Sequence, residues 1–344
     1  MREPAIDRPD VRRVLVIRLR SIGDTVLATP TLTALRRHFE NARIDILLED
    51  WVAPLLTGLP SIDGVIAMGR GVLDRVRTAK EIRDNNYDIV INLHGGTTST
   101  FLARATGARY RVGFSTYQYS SLYTHLLSTS AEFWGRSPTH SVEQQLALAG
   151  HAGVPVSSYI ATQLAIAPEA AEAVDARLKP LDPGRPLALF HPAAAFETKR
   201  WAAQNFARAA EHLHSREYET IAVAGPGEEG VLEELTQYAA FPILTFTDLS
   251  LPEITALAAR AALFVGNDSG IAHIAAAVGT PPVVIFGSSN RDHWRPWTSG
   301  PAEVVFADYD CQPCPGYECA VFGDPRCIRE VTVEAVIAAI ERII

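Results

Sequence analysis

Cysteine is scarce in this chain: four of 344 residues, all between 311 and 327. Nowhere is there an apolar run near the ~18 residues that a membrane-spanning helix needs; stretches such as Ile271–Val278 and Val283–Phe286 fall far short. No secretory leader is expected from the N-terminal residues. Arg12 and Arg13 precede only Val14–Ile17 before Arg18, whereas such a leader needs about 7–15 apolar residues in its core. The expectation is a cytoplasmic protein, whose cysteines serve as thiols or metal ligands rather than disulfides. Glycine and proline together number 45 (23 and 22), close to average usage, so collagen-like and low-complexity readings fail. Cationic excess is lacking too. With 31 Lys and Arg against 39 Asp and Glu the net charge is −8, which argues against a nucleic-acid partner.

What is present is an ordinary globular composition, 47% hydrophobic and 20% charged, long enough for two domains. The charge is uneven. Residues 1–170 carry 18 cations and 16 anions; residues 171–344 carry 13 and 23. An anionic partner would meet the first half. Short apolar runs alternate with helical patterns throughout. Val14–Leu19, Ile44–Leu48, Val65–Met68 and Tyr87–Leu93 read as strands of the first half, with one helix over Asp24–Phe39. Leu187–His191, Thr220–Ala224, Ile243–Phe246, Leu263–Gly266, Val283–Phe286 and Val304–Phe306 read as strands of the second. Strands alternating with helices predict parallel sheets covered on both faces. The fold class is therefore α/β, with two doubly wound, Rossmann-like domains, 1–170 and 171–344, and a cleft between them. The weakest joint lies near Ala167–Pro186, and the terminal helix Val333–Ile344 is assigned to the second domain.

Ligands of open parallel sheets bind beyond the carboxyl ends of strands, so five junctions matter. The first is Arg20-Ser21-Ile22-Gly23-Asp24. Asp24 reads as a helix N-cap or as a base at the mouth of the cleft. The second is Gly266-Asn267-Asp268-Ser269-Gly270-Ile271-Ala272-His273. A strand here feeds a helix start that suits a phosphate, with Asp268 or Ser269 as an alternative cap. The third runs from His191 to Trp201, where Lys199 would offset phosphate charge. The fourth, Gly225-Pro226-Gly227-Glu228-Glu229-Gly230, matches G-x-G-x-x-G, with Asp248 eighteen residues beyond Gly230. It is the basis of a rival NAD-type reading, although the fingerprint normally opens the first βα unit of its domain. The fifth is Cys311-x2-Cys314-x4-Cys319-x7-Cys327, either four thiolates for zinc or an iron–sulfur centre, or reduced structural thiols.

Taken together, these junctions resemble the ADP-heptose–lipopolysaccharide heptosyltransferases, glycosyltransferase family 9. The carriers are Ser21-Ile22-Gly23-Asp24, Thr198-Lys199-Arg200-Trp201 after His191-Pro192, the run 266–273, and the Cys-x-x-Cys tail. The resemblance covers the chain from Val14 onward. It implies a GT-B fold, with an acceptor domain first and a donor domain second, and inverting, metal-independent transfer from ADP-heptose to the lipopolysaccharide inner core. Asp24 would be the general base. Lys199, Asp268, Ser269, Gly270 and His273 would hold the donor phosphates, and Glu229, with Glu228 in reserve, the ribose. A phosphorylated core or lipid A precursor acceptor calls for cations; Arg18, Arg20, Arg70, Arg104, Arg109 and Arg111 are the candidates. No cofactor is required, and a structural metal at the cysteines stays open. The setting implied is the cytoplasm, with peripheral contact at the inner membrane. Two departures stand out: Ala193-Ala194 where the family often has Gly-Ala after His-Pro, and His94-Gly95-Gly96 where relatives often carry another polar residue. Rival functions are transfer with a different nucleotide-sugar or acceptor, the NAD-type enzyme, and a non-catalytic nucleotide-binding module.

Overall fold

The computed structural model describes residues 11–156, 159–314 and 316–344; the first ten residues of the expected first domain and Pro315 within the cysteine segment lie outside them. The chain divides into two compact units, the first ending at Ala165 and the second beginning at Ile166.

Among the described residues the first unit holds one six-stranded parallel sheet in the order β3-β2-β1-β4-β5-β6. Its strands are β1 (Arg13–Ile17), β2 (Arg43–Glu49), β3 (Gly64–Met68), β4 (Ile89–Asn92), β5 (Tyr110–Phe114) and β6 (His125–Leu127). The helices are α1 (Ile22–Val26), α2 (Thr29–His38), α3 (Val72–Asp84), α4 (Thr97–Ala105), α5 (Ser130–Trp134) and α6 (Ser141–His151). Val14, Leu15, Val16 and Ile17 are all fully buried. That is why β1 reads as an unbroken apolar run: a central parallel strand has no solvent face.

The expected single helix over 24–39 is two helices. Pro30, second residue of α2, has no N–H to donate to Val26, and its ring would clash with that carbonyl. The chain turns at Leu27–Ala28, and Thr29 Oγ1 donates to the Val26 carbonyl at 2.7 Å. The Tyr110–Thr139 segment, for which no element was expected, supplies β5, β6 and α5.

The second unit repeats the plan in the order β12-β11-β10-β7-β8-β9. Its strands are β7 (Leu187–His191), β8 (Glu219–Val223), β9 (Leu244–Phe246), β10 (Ala261–Asn267), β11 (Pro282–Phe286) and β12 (Glu303–Phe306). The helices are α7 (Pro168–Leu178), α8 (Ala203–Ser215), α9 (Glu229–Tyr238), α10 (Leu251–Arg260), α11 (Gly270–Ala277), α12 (Arg291–Trp294), α13 (Arg326–Arg329) and α14 (Val333–Glu341). Its core gathers Phe190, Trp201, Phe206, Ile285 and Ile340. The terminal helix α14 packs on α8, β11 and β12 of this unit.

The Pro/Gly cluster after Leu178 is a helix–strand connection inside the second unit. α7 is held to α10 by Arg260–Asp175 at 2.8 Å, and to the connection before α10 by a two-pronged bond from Arg177 to Asp248 at 3.0 and 2.6 Å. The first unit ends earlier, where Gln163 is fastened to α2 through Thr29 and Thr33 at 3.1 and 2.8 Å.

Candidate functional sites

Each sheet reverses its winding once, between β1 and β4 in the first unit and between β7 and β10 in the second. Crevices for ligands open at such switch points, at the carboxyl ends of the strands.

In the first unit the β1 exit carries Arg18, Arg20, Ser21 and Asp24. The Arg20–Ser21 peptide bond is cis. Asp24 is the third residue of α1, and Ser21 occupies the N-cap without a side-chain cap bond. Asp24 is therefore not the cap. Its carboxylate pairs with the Arg18 guanidinium and accepts from Ser21 Oγ at 3.1 Å. A carboxylate has about four acceptor positions, so room remains for a substrate hydroxyl. Arg18 also donates to the Leu93 carbonyl at the β4 exit, which ties the two switch-point loops together. Next comes His94, whose imidazole is pushed down to about 4 by burial and then by the neighbouring Arg18 and Arg20 charges. It is neutral near pH 7. The backbone N–H groups of His94 and Gly95 donate to Asn92 Oδ1 at 3.0 and 3.4 Å. Gly95 has φ +74°, and a Cβ there would lie 2.3 Å from the Tyr117 ring, so no other residue fits.

Glu49, at the end of β2, was missed by sequence reasoning. It lies 3.9 Å from Arg20 and accepts from Trp51 Nε1 at 2.8 Å. The signal was its place directly after the apolar run 44–48. The six candidate arginines do not converge. Arg18 and Arg20 border Asp24, and Arg70 follows β3 at the same carboxyl edge. Arg104 ends α4 and Arg109 precedes β5, which puts both at the amino edge. Arg111 lies within β5, and its guanidinium is spent on the Leu122 and Ala108 carbonyls.

In the second unit the β7 exit leads to a 3-10 turn at Glu197–Lys199, and the β10 exit leads to α11. Lys199 Nζ lies 2.8 Å from Asp268 Oδ2. Ser289 Oγ, from the β11 exit, donates to the same oxygen at 2.5 Å. Asn267 clamps both loops. It accepts from the Trp201 N–H at 3.1 Å and donates to the Pro192 carbonyl at 2.8 Å, while the Trp201 indole is fully buried. Ser269 sits at the N-cap of α11 but makes no cap bond; its hydroxyl lies 3.1 Å from His191 Nδ1. Burial pushes the His191 imidazole down to about 4. The N-cap residue of α11 thus makes no side-chain bond to the first turn of that helix. His273 is buried one turn further in. Asn267 and His191 were expected as members of these junctions but without a role of their own, and Ser289 was not expected. His191 and Asn267 are the last residues of β7 and β10, and Ser289 follows β11 by three residues; their places after apolar strands were the available signal.

Ala193 resolves one departure: it is 2% exposed, and its methyl belongs to the core. The other sequence-level candidate, the 225–230 loop, does not have the geometry of a dinucleotide site. It leaves β8, away from the switch point. The Gly225 and Gly227 N–H groups, which a pyrophosphate would need, already donate to the Glu228 and Glu229 carboxylates, each at 2.9 Å. Asp248, the expected ribose partner, is paired with Arg177.

All four cysteines are free and line one cavity of about 160 Å³ together with Thr198 and Ser288. Cys327 is pushed up to about 11, by burial and then by the other three sulfurs. Among the described residues no group of three or more His, Cys, Asp or Glu is arranged to hold a metal ion. The segment also props the Lys199 loop. Thr198 Oγ1 donates to the Gly316 carbonyl at 3.1 Å, and the Cys314 N–H to the Ser288 carbonyl at 2.9 Å.

Two doubly wound units of this plan, with polar side chains gathered at the switch points, define a GT-B type glycosyltransferase architecture. The family model for glycosyltransferase family 9 (heptosyltransferase) matches residues 75–322, and the chain belongs to that family. Lipopolysaccharide heptosyltransferase 3 of Escherichia coli is 29% identical over 314 residues, 86% of this chain and 89% of that one. A glycosyl transferase family 9 structure from Veillonella parvula superposes with a TM-score of 0.84 at 22% identity, covering 96% of this chain and 97% of that one. Escherichia coli ADP-heptose lps heptosyltransferase II gives 0.80 at 22% identity, covering 96% and 98%. Among the described residues no helix is long and apolar enough to cross a membrane.

Proposed function

We propose that this enzyme moves a heptose from ADP-heptose to a hydroxyl of the lipopolysaccharide inner core with inversion at the anomeric carbon. The observation that carries the reading is the pairing of a cation with a helix start at the β7/β10 switch point. The N-terminus of α11 offers N–H groups that have no intrahelical partner and a positive dipole end, and Lys199 adds a point charge. Charge that builds on the departing diphosphate is stabilised there by donors already in place. Glu229 or Glu228, on the neighbouring β8 loop, would receive the ribose hydroxyls.

Asp24 takes the proton of the acceptor hydroxyl. That oxygen attacks the anomeric carbon as the bond to the diphosphate oxygen breaks, and ADP leaves with the electron pair. Arg18 holds the Asp24 carboxylate in place, and Arg20 and Arg70 at the same edge suit an anionic acceptor. The reading is supported by family membership, by relatives whose names specify lipopolysaccharide heptosyl transfer, and by the freedom of Asp24 from capping.

The test is turnover of ADP-heptose with a core oligosaccharide acceptor, read by the anomeric configuration of the product in NMR, beside calorimetry with ADP, UDP, GDP, CMP and NADH. ADP preference and an inverted product are expected. UDP or GDP preference would discard the heptose donor, retention would discard Asp24 as a simple base, and tight NADH binding without ADP preference would discard the transferase reading.

A further inference from the structure

The outer face of α3 is apolar and basic at once. α3 buries Thr78 and Ile82 against its unit. On the opposite side Val72, Leu73 and Val76 are 75, 71 and 61% exposed. At about 100° per residue these three share one side of the helix, so they form a single aliphatic patch. An unpartnered patch of this kind marks an interaction surface.

Cations surround it. Arg70, Arg75, Arg77 and Lys80 are all exposed, and Arg77 stays 79% exposed despite lying 3.5 Å from Asp74. Residues 70–84, to the end of α3, hold five cations, with Arg83, and three anions, Asp74, Glu81 and Asp84, a balance of 5 − 3 = +2, in a chain of net charge −8. α4 packs beside α3 and exposes Phe101, the fifth residue of its helix as Val76 is of α3. The Tyr119 ring, also exposed, lies 5.2 Å from that of Phe101.

We infer that this face docks the enzyme on an anionic phospholipid bilayer. Val72, Leu73 and Val76 enter the boundary between head groups and acyl chains, while the surrounding Arg and Lys meet lipid phosphates. A second copy of the same face would bring like charges together, so charge complementarity favours the anionic surface. α3 starts at the carboxyl edge of its sheet, the edge that carries Asp24. A membrane-held acceptor would therefore be presented to that edge; this consequence rests on the proposed function, whereas the docking does not.

The test is co-sedimentation of the full chain with vesicles of phosphatidylethanolamine and phosphatidylglycerol, against vesicles of phosphatidylcholine. Binding to the first and not the second is expected, and salt should release it. The Val72→Ser/Leu73→Ser/Val76→Ser variant should lower partitioning about tenfold or more. Arg75→Glu/Lys80→Glu should do the same, at roughly fivefold or more per cation. All five side chains are exposed, and unchanged melting would verify the fold. Both variants should keep wild-type transfer to a water-soluble core oligosaccharide, which separates failure of docking from failure of the reaction. Equal binding of wild type and triple variant, or no binding to anionic vesicles, would overturn the inference. So would a dimer that the triple variant abolishes, which would give the face to a second copy, or loss of soluble transfer, which would give α3 to the acceptor site.

Discussion

The β1/β4 and β7/β10 switch points share a plan and differ in what they put forward. At the first a carboxylate, Asp24, is gripped by an arginine from its own loop. At the second a lysine, Lys199, is gripped by a carboxylate from the facing loop, Asp268, itself steadied by Ser289. The second is also the better braced. Asn267 binds backbone of the β7 exit on both sides, the buried Trp201 donates to the Val331 carbonyl at 2.8 Å, and the cysteine segment supports Thr198. The same fold thus puts forward a carboxylate at one switch point and a cation beside a helix start at the other. What separates the two is the choice of residue at the strand exits, on a common scaffold.

The sharpest way to break this contrast is Asp24→Asn. It keeps the shape and removes the basic charge, so kcat should fall by about 10²–10⁴ while ADP affinity stays within about twofold, measured by transfer assay and calorimetry. Next in size is a pH effect at the second site. The folded His191 imidazole is lowered from 6.5 to about 4, so the unfolded chain binds a proton that the native state refuses. No penalty exists above about pH 6.5; as pH falls to 4 it should grow to about 3 kcal/mol. Urea midpoints across that range should flatten in His191→Gln; an unchanged slope would remove His191 as the cause. His94 acts with the same sign.

Third is Gly287→Ala. A Cβ at this position would lie 2.1 Å from the Thr198 carbonyl oxygen. Relief requires moving the loop that carries Lys199, at about 1–3 kcal/mol, with weaker ADP binding and no change at the first site. The smallest effect belongs to Glu228→Gln and Glu229→Gln. Each acid closes its own loop, and Glu229 is exposed, so stability should change by less than about 1 kcal/mol. ADP affinity should fall for whichever one meets the ribose.

The strands of the second unit were legible almost to the residue, Leu187–His191 included, because strands buried on both faces leave unbroken apolar runs. The split of α1 from α2 followed from Pro30, whose effect on the Val26 carbonyl was present in the sequence. β5 was harder. Tyr110–Phe114 mixes aromatic, charged and small residues, so it reads as irregular, and with it went the edge on which Arg104, Arg109 and Arg111 lie. Lys199 and Asp268, 69 residues apart, were each legible as loop residues, but their contact depends on β7 and β10 being neighbours in the sheet. The rival reading of the G-x-G-x-x-G match at 225–230 stayed open in the sequence for a related reason: spacing does not reveal that the two glutamates already occupy the glycine N–H groups.

The central claim is that the donor nucleotide is held at the β7/β10 site while Asp24 serves the chemistry. Calorimetric titration of ADP into wild type, Lys199→Ala and Asp24→Asn tests it directly. The account predicts that Lys199→Ala weakens ADP binding about tenfold or more, the cost of a charge-assisted contact, and that Asp24→Asn binds ADP as wild type does. Undiminished binding by Lys199→Ala, or its loss in Asp24→Asn, would contradict it.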